Sequence, residues 1–89
     1  MIDEVITQMR QARRHVDQAA AMIARALTEL DQAGALVQHS LQGTADQSPT
    51  AAVGAARQGL AEARQRAGAA TTAIDQTLAR WAGTGGPGN

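Results

Sequence analysis

The sequence contains no cysteine, no phenylalanine and no tyrosine, and Trp81 is its one aromatic residue. Without cysteine, the chain can form neither a disulfide bond nor a cysteine-ligated metal site. Its apolar content is mostly alanine, and alanine buries little surface. A chain of 89 residues forms one domain at most, and a domain this small usually needs a staple or a partner to be stable. Oligomerisation or docking on another protein is therefore expected.

Lysine is also absent: the eight basic side chains are all arginine, and eight acidic side chains balance them to a net charge of zero. A neutral chain gives no electrostatic reason to bind nucleic acid or an acidic membrane surface. The N-terminus lacks the basic segment and apolar run of a cleaved signal peptide, and no apolar run is long enough to span a bilayer. A cytoplasmic protein is expected, and secretion without a cleaved signal stays open.

Helical periodicity runs through two long segments separated by one break. The first predicted helix covers residues 2–42, the turn 43–48 and the second helix 49–82. Gly43 suits the left-handed conformation that ends a helix, and Ser48-Pro49 is typical of an N-cap followed by proline at the first helical position. We therefore predict one all-α domain, a helical hairpin over residues 1–83, followed by a flexible Gly-rich tail over 84–89.

Large apolar residues recur at intervals of seven in both predicted helices. A seven-residue repeat that is kept along a whole helix indicates left-handed coiled-coil packing. A short turn between two such helices favours an antiparallel two-helix coiled-coil hairpin. The predicted hairpin seam consists of Met9, Val16, Ile23, Leu30, Val37, Val53, Leu60, Ile74 and Trp81.

The alternation of large and small side chains predicts the register of the hairpin. If residues whose numbers sum to 93 share a layer, Ala33 lies opposite Leu60 and Leu30 lies opposite Ala63. Nearly every layer then sets a large side chain against a small one, which lets the helices approach closely. In this register the first turns of helix one extend past the end of helix two.

The apolar surface is wider than one seam requires. Flanking positions that usually carry charge in a two-stranded coiled coil carry aliphatic residues. Helix two also contains interior glycines, which cost about 1 kcal/mol each against alanine. These features predict a four-helix bundle of two hairpins, most simply a two-fold homodimer, although a related hairpin as partner satisfies the same physics. The candidate partner surface comprises Ile2, Val5, Ile6, Met22, Leu27, Leu36, Leu41, Gly54, Ala61 and Gly68.

No group of residues has the spacing of a catalytic, cofactor or metal site. His15 and His39 are too far apart on one helix to share a metal ion, and the acidic residues are single and spread out. The basic segment 10–15 is a candidate phosphate site, but no aromatic residues lie between its arginines to stack on bases. The sequence thus predicts no enzyme, no cofactor, no metal and no nucleic acid, and ordinary surface ion pairs for the charged residues.

Trp81 stands at a seam position in the last turn of helix two. We predict that it closes the open end of the hairpin over Met9 and Ala12. The alternative is that it anchors the chain in a partner's surface, as buried tryptophans often do at interfaces.

The two Ala- and Gln-rich helices around a short polar turn resemble small actinobacterial helical-hairpin proteins of unknown function. Trp81-Ala82-Gly83 also spells the W-x-G motif of the WXG100 (ESAT-6-like) proteins. That resemblance implies antiparallel hairpins that pair into four-helix bundles and leave the cell through type VII secretion systems. Here the motif stands at the end of helix two rather than in the turn, and the tyrosine of that family's secretion signal is absent.

Three functions are consistent with these features. The first is a non-catalytic interaction or oligomerisation module that acts through coiled-coil packing. The second is a WXG100-like hairpin associated with type VII secretion. The third is a small regulatory protein that buries its N-terminal aliphatic residues against a larger target.

Overall fold

Two long helices make up nearly all of the described chain. The computed structural model describes residues 1–84, in which α1 spans Ile2–Ser40 and α2 spans Ser48–Thr84. The helix α2 folds back along α1, and the hairpin measures 70 × 15 × 15 Å. The predicted all-α antiparallel hairpin is confirmed. The predicted tail lies, from residue 85 onward, outside the described residues.

The turn after α1 is built around Leu41 and Gly43. The Leu41 N–H still donates to the Val37 carbonyl at 3.0 Å, but α1 ends at residue 40, two residues earlier than predicted. Gly43 has a φ of +82°, a left-handed conformation that glycine adopts without a clash of Cβ. The Thr44 N–H and hydroxyl then donate to the Leu41 carbonyl at 3.0 and 2.8 Å, which satisfies this group at the helix end.

The start of α2 is capped by Asp46, whereas the sequence predicts Ser48 in this role. The Ser48 N–H donates to Asp46 Oδ1 at 3.1 Å, so a side chain satisfies an amide that has no partner within the helix. The Gln47 carbonyl accepts the first helical bond, from the Ala51 N–H at 2.9 Å. Pro49 follows in the first turn, where its missing N–H removes no hydrogen bond.

The two helices pack in a register different from the predicted one. A Cβ at Gly34 would lie 3.6 Å from Val53 Cγ1, whereas the predicted layers place Val53 opposite Ser40. The ion pair between Asp31 and Arg57 agrees with the Gly34 contact. The difference of six residues is about 9 Å along the helix axis, at 1.5 Å per residue. The predicted layers of large against small side chains are therefore wrong.

The observed register also covers the N-terminal end of α1. Arg13 pairs with Asp75, and α2 continues for nine further residues to Thr84. The residue nine before Arg13 lies in the first turn of α1, so α2 runs alongside that turn. Val5 and Ile6 are accordingly half-buried. The predicted overhang at this end is wrong, because it followed from the predicted register.

Leu27 is the best-covered residue of the hairpin. Its residual exposure is 8%, and no other side chain between residues 1 and 83 is as fully enclosed. Leu27 is seven residues before Gly34, and Leu60 is seven residues after Val53. Because Gly34 contacts Val53, Leu27 lies level with Leu60. The placement of Leu27 in a partner surface is therefore wrong, because α2 already covers it. Half-buried residues continue on both sides at alternating intervals of three and four: Ile6, Met9, Arg13, Val16, Ala20, Ile23, Leu30, Gly34, Val37 and Leu41.

Candidate interaction surface

The hairpin exposes more surface than a compact domain of its size. Its accessible surface is 6541 Å², against about 4,900 Å² for a compact chain of this mass. Its radius of gyration is 20.2 Å, against about 12 Å for a compact domain of this length. Two helices side by side cannot enclose a core, so most apolar side chains stay partly in contact with water.

The two described ion pairs that join the helices lie on one side of the hairpin. Arg13 Nε and Nη2 donate to the two oxygens of Asp75 at 2.5 and 3.3 Å, and Arg57 Nε donates to Asp31 Oδ1 at 2.6 Å. Arg13 and Asp31 are 18 residues apart on α1, which is five full turns, so they point in the same direction. We call this side the ion-pair face.

Hydrogen bonding and charge raise the pKa of both arginines above the ordinary value. For Arg13 the largest cause is the hydrogen bond to Asp75, followed by the charges of Asp17 and Asp75; for Arg57 it is the hydrogen bond to Asp31. A raised pKa stabilises the fold at any pH below the ordinary value, and the effect is lost only as pH rises through the raised value. Both groups are therefore charged at neutral pH. The two arginines and their three aspartate partners are all at least 40% exposed, so solvent screens the ion pairs between them.

The two ion pairs are related by a repeat in the sequence. Arg57 and Asp75 of α2 have the same spacing as Arg13 and Asp31 of α1. The segment around Asp31, Leu-Asp-Gln, likewise corresponds to Ile-Asp-Gln around Asp75. An offset of 44 residues therefore relates α1 to α2, and in the hairpin it relates one ion pair to the other. This equal spacing in both helices is the signal from which the register could have been read.

The opposite side of the hairpin carries alanine along the edges of the helix contact. On α1, Asp31 and Ala33 lie on opposite sides of Leu30, and on α2, Asp75 and Ala70 lie on opposite sides of Ile74. Since the aspartates mark the ion-pair face, the alanines of both helices share the other side, which we call the alanine face. Its inner rows are Ala12, Ala19, Ala26 and Ala33 on α1, and Ala56, Ala63 and Ala70 on α2.

The predicted partner surface is divided between these two faces and the contact between the helices, where Ile6, Leu27 and Leu41 lie. Met22 and Leu36, which are 62% and 68% exposed, lie in the outer row of α1 beside the alanine face. Gly54 instead lines an open groove of about 290 Å³ next to Asp31 and Arg57, on the ion-pair face. The ten predicted residues therefore do not form one surface. The row of Gly54 continues with Ala61 and Gly68.

Eight of the nine predicted seam residues are half-buried, and Trp81 is 38% exposed. Thr7 is six residues before Arg13 in α1, and Trp81 is six residues after Asp75 in α2. The Arg13–Asp75 pair therefore places Trp81 level with Thr7. Ala12, which was expected beneath the indole, is exposed and about a turn and a half away. The predicted cover over Ala12 is therefore wrong. At the same end, Ile2 is 44% exposed.

The reactive side chains of the described chain are dispersed. His15 and His39 are both exposed, and no three histidine or acidic residues among the described ones are grouped to hold a metal ion. A cavity of about 400 Å³ opens at the turn and is lined by polar residues such as Gln42 and Asp46. Neither α1 nor α2, as far as each is described, has a segment apolar enough to cross a membrane.

The fold and its open faces define a class of protein, the helical hairpin with apolar surface exposed along its length. The chain belongs to a family of unknown function (DUF6244), whose model matches residues 2–85 and so covers both helices and the turn. The predicted membership of a family of unknown function is confirmed. No curated protein and no solved structure matches the chain.

Proposed function

We propose that the chain is a non-catalytic helical interaction module that assembles with a second copy of itself into a four-helix bundle. The observation that carries this proposal is burial, because Leu27 alone among the described side chains is enclosed. Apolar burial stabilises a fold by roughly 25 cal/mol per Å², while ordering each residue costs about 1–2 kcal/mol. A hairpin with so small a core gains the missing burial from a second hairpin.

The amount of open surface fits one partner of the same size. The hairpin exposes about 1,600 Å² more than a compact chain of its mass. A stable interface buries about 800 Å² on each partner, and one side of the hairpin, 70 Å long and 15 Å wide, offers about 1,000 Å². The seven-residue spacing of large apolar residues supports coiled-coil packing in such a bundle.

Sedimentation equilibrium of the full chain at micromolar concentration tests this proposal. We expect the mass of a dimer, together with a cooperative thermal transition whose midpoint rises with protein concentration. A folded, cooperative monomer would contradict the proposal. A monomer with little helical circular dichroism would contradict self-association as well, because it would show that folding needs a different partner.

A hairpin associated with type VII secretion is the second candidate, and the antiparallel pair of long helices supports it. The position of Trp81 near the end of α2, far from the turn, counts against it. Co-expression with hairpin proteins encoded beside the gene separates the two candidates. A one-to-one heterodimer that replaces the homodimer favours the secretion role. Actinobacterial origin and cytoplasmic location stay predictions.

The regulatory alternative requires N-terminal aliphatic residues that are open to a larger target. The helix α2 runs alongside this segment, and Val5 and Ile6 are half-buried against it. The large apolar side chains that stay open there are Met1, at 96% exposure, and Ile2, at 44%. We therefore place this alternative behind the other two.

A further inference from the structure

We propose that a second copy of the chain covers the alanine face and leaves the ion-pair face in water, with α1 of each copy against α2 of the other. This inference rests on the proposed function, because it requires the chain to associate with itself. It adds which surface is buried and how the two copies are oriented.

Exposed large side chains distinguish the alanine face. Met22 and Leu36 are 62% and 68% exposed and lie 14 residues apart, in one row along α1. A single exposed apolar side chain is ordinary on a protein surface. Two in one row beside the alanines of both helices form a continuous apolar strip, which is typical of an interaction site. The described residues of the ion-pair face offer no comparable large apolar side chain in the open.

Charge also separates the two faces. On the ion-pair face, the row of α1 that borders the helix contact contains Arg10, Asp17 and Asp31. A partner on that side would have to desolvate these groups and the two ion pairs, which is costly. The inner rows of the alanine face, within residues 12–33 and 56–70, hold no charged residue. Covering the alanine face therefore buries apolar surface without dehydrating an ion in those rows.

The outer rows beside the alanine face fix the orientation of the second copy. Glu29 lies between Met22 and Leu36 in the outer row of α1. The outer row of α2 lies three residues after its inner alanines, and Arg66 stands in it after Ala63. Stacking α1 on the partner's α1 would bring rows of like charge together. Stacking α1 on the partner's α2 instead brings the glutamate row against the arginine row, with Glu29 and the partner's Arg66 seven residues, or about 10 Å, apart along the axis.

The register makes this orientation complementary in size as well. Leu36 is five residues after Asp31 and Ala52 is five residues before Arg57, so the ion pair places them at one level. A two-fold axis parallel to the helices keeps these levels and sets Leu36 against the partner's Ala52. By the same count, Glu29 lies level with the partner's Gly59, and Met22 lies level with the partner's Arg66, whose aliphatic stem packs along apolar side chains. Small residues opposite larger ones allow close approach of helices.

Matched glutamate variants test which face is covered. The variant Met22→Glu with Leu36→Glu places two carboxylates beside the alanine face. The control, Ala21→Glu with Ala35→Glu, adds the same charges one residue earlier in the same helix, at exposed positions that point away from that face. We expect the first variant to weaken the dimer about tenfold or more in sedimentation equilibrium, and the control to leave it within about twofold.

Two outcomes overturn this inference. If the control weakens the dimer and Met22→Glu with Leu36→Glu does not, the second copy covers the ion-pair face. If neither variant weakens it, the interface avoids both outer rows. In either case the wild-type dimer persists and the proposed function stands, whereas a monomeric wild-type chain contradicts the proposed function itself. Repeating the comparison with the hairpin closed by a Gly34→Cys and Val53→Cys disulfide separates loss of assembly from loss of folding.

Intermolecular cross-linking tests the orientation. Chains that carry Leu36→Cys are mixed with chains that carry Ala52→Cys and oxidised. We expect the mixed disulfide dimer to form faster than either homodimer, because position 36 of one chain faces position 52 of the other in this arrangement. The natural chain has no cysteine that would form competing disulfides. Homodimers of the Leu36→Cys chain as the main product would overturn the pairing of α1 with the partner's α2.

Discussion

At the scale of single residues, stability depends most on Leu27. It is the described side chain that the hairpin covers best, at 8% exposure, and removing its branched end leaves a cavity between the helices. We expect Leu27→Ala to lower the free energy of unfolding by about 2–3 kcal/mol, measured by urea denaturation at fixed protein concentration. The exposed residue Gln32 serves as control, and Gln32→Ala should stay within about 0.5 kcal/mol. Equal losses in the two variants would show that Leu27 is not part of the core.

Both side chains of the Asp31–Arg57 pair are more than half exposed, so solvent screens their attraction and the pair adds little to stability. Its contribution is to favour one register of the two helices. Asp31→Arg brings two guanidinium groups together across the helices and should lower the thermal midpoint. Adding Arg57→Asp to that variant exchanges the charges and should restore most of the loss. Circular dichroism melting at low and high salt measures both effects, which salt should reduce. A double variant no more stable than Asp31→Arg alone would argue against this contact.

At the scale of the elements, two glycines should respond to alanine in opposite directions. Gly43 has a φ of +82° in the turn, and a Cβ in that conformation is strained, so Gly43→Ala should cost about 1 kcal/mol of stability. Gly68 lies inside α2, where an added Cβ meets nothing within 4 Å. Gly68→Ala should therefore stabilise the fold by about 0.5–1 kcal/mol. Urea denaturation measures both changes, and a loss of dimer in Gly68→Ala would place a partner on the ion-pair face.

The register of the two helices can be tested by disulfide formation within one chain. Gly34→Cys with Val53→Cys should oxidise readily, because a Cβ at Gly34 lies 3.6 Å from Val53 Cγ1. Ser40→Cys with Val53→Cys matches the register predicted from side-chain size and should not close, since the two positions are then about 9 Å out of step. Mass spectrometry of dilute, oxidised protein distinguishes the two. Closure of the second pair in preference to the first would restore the predicted register.

The sequence predicted the helices and the hairpin because their signals are local. Periodicity, Gly43 and Pro49 each act within a few residues, and helix formation needs little more. The register depends on contacts across the chain, and with alanine at so many positions several registers bury similar area. The expected pairing of Ala33 with Leu60 followed size alone. The Asp31–Arg57 pair, which the observed register satisfies, was visible in the spacing of charges.

The same reasoning explains why the candidate surface was predicted only in part. Met22 and Leu36 were assigned to it because aliphatic residues are unusual at flanking positions, and both are exposed. Leu27 shares that pattern, yet it is enclosed, because the contact between the helices is rotated toward its row. Heptad position alone does not distinguish a seam from its flank when alanine fills the intervening positions.

At the scale of the whole molecule, folding and assembly are one process if two hairpins share a core, and the shape of the assembly is then fixed. Side-by-side packing at about 10 Å leaves the length near that of one hairpin. The dimer should then have a radius of gyration of about 21 Å, close to the 20.2 Å of one hairpin, and a forward scattering per unit mass twice that calculated for one chain. Small-angle X-ray scattering at a concentration where the dimer is fully formed measures both quantities. End-to-end association would instead give a radius of about 40 Å, because a rod of 70 Å doubles in length. That result would leave the alanine face in water and contradict both the shared core and the proposed interface.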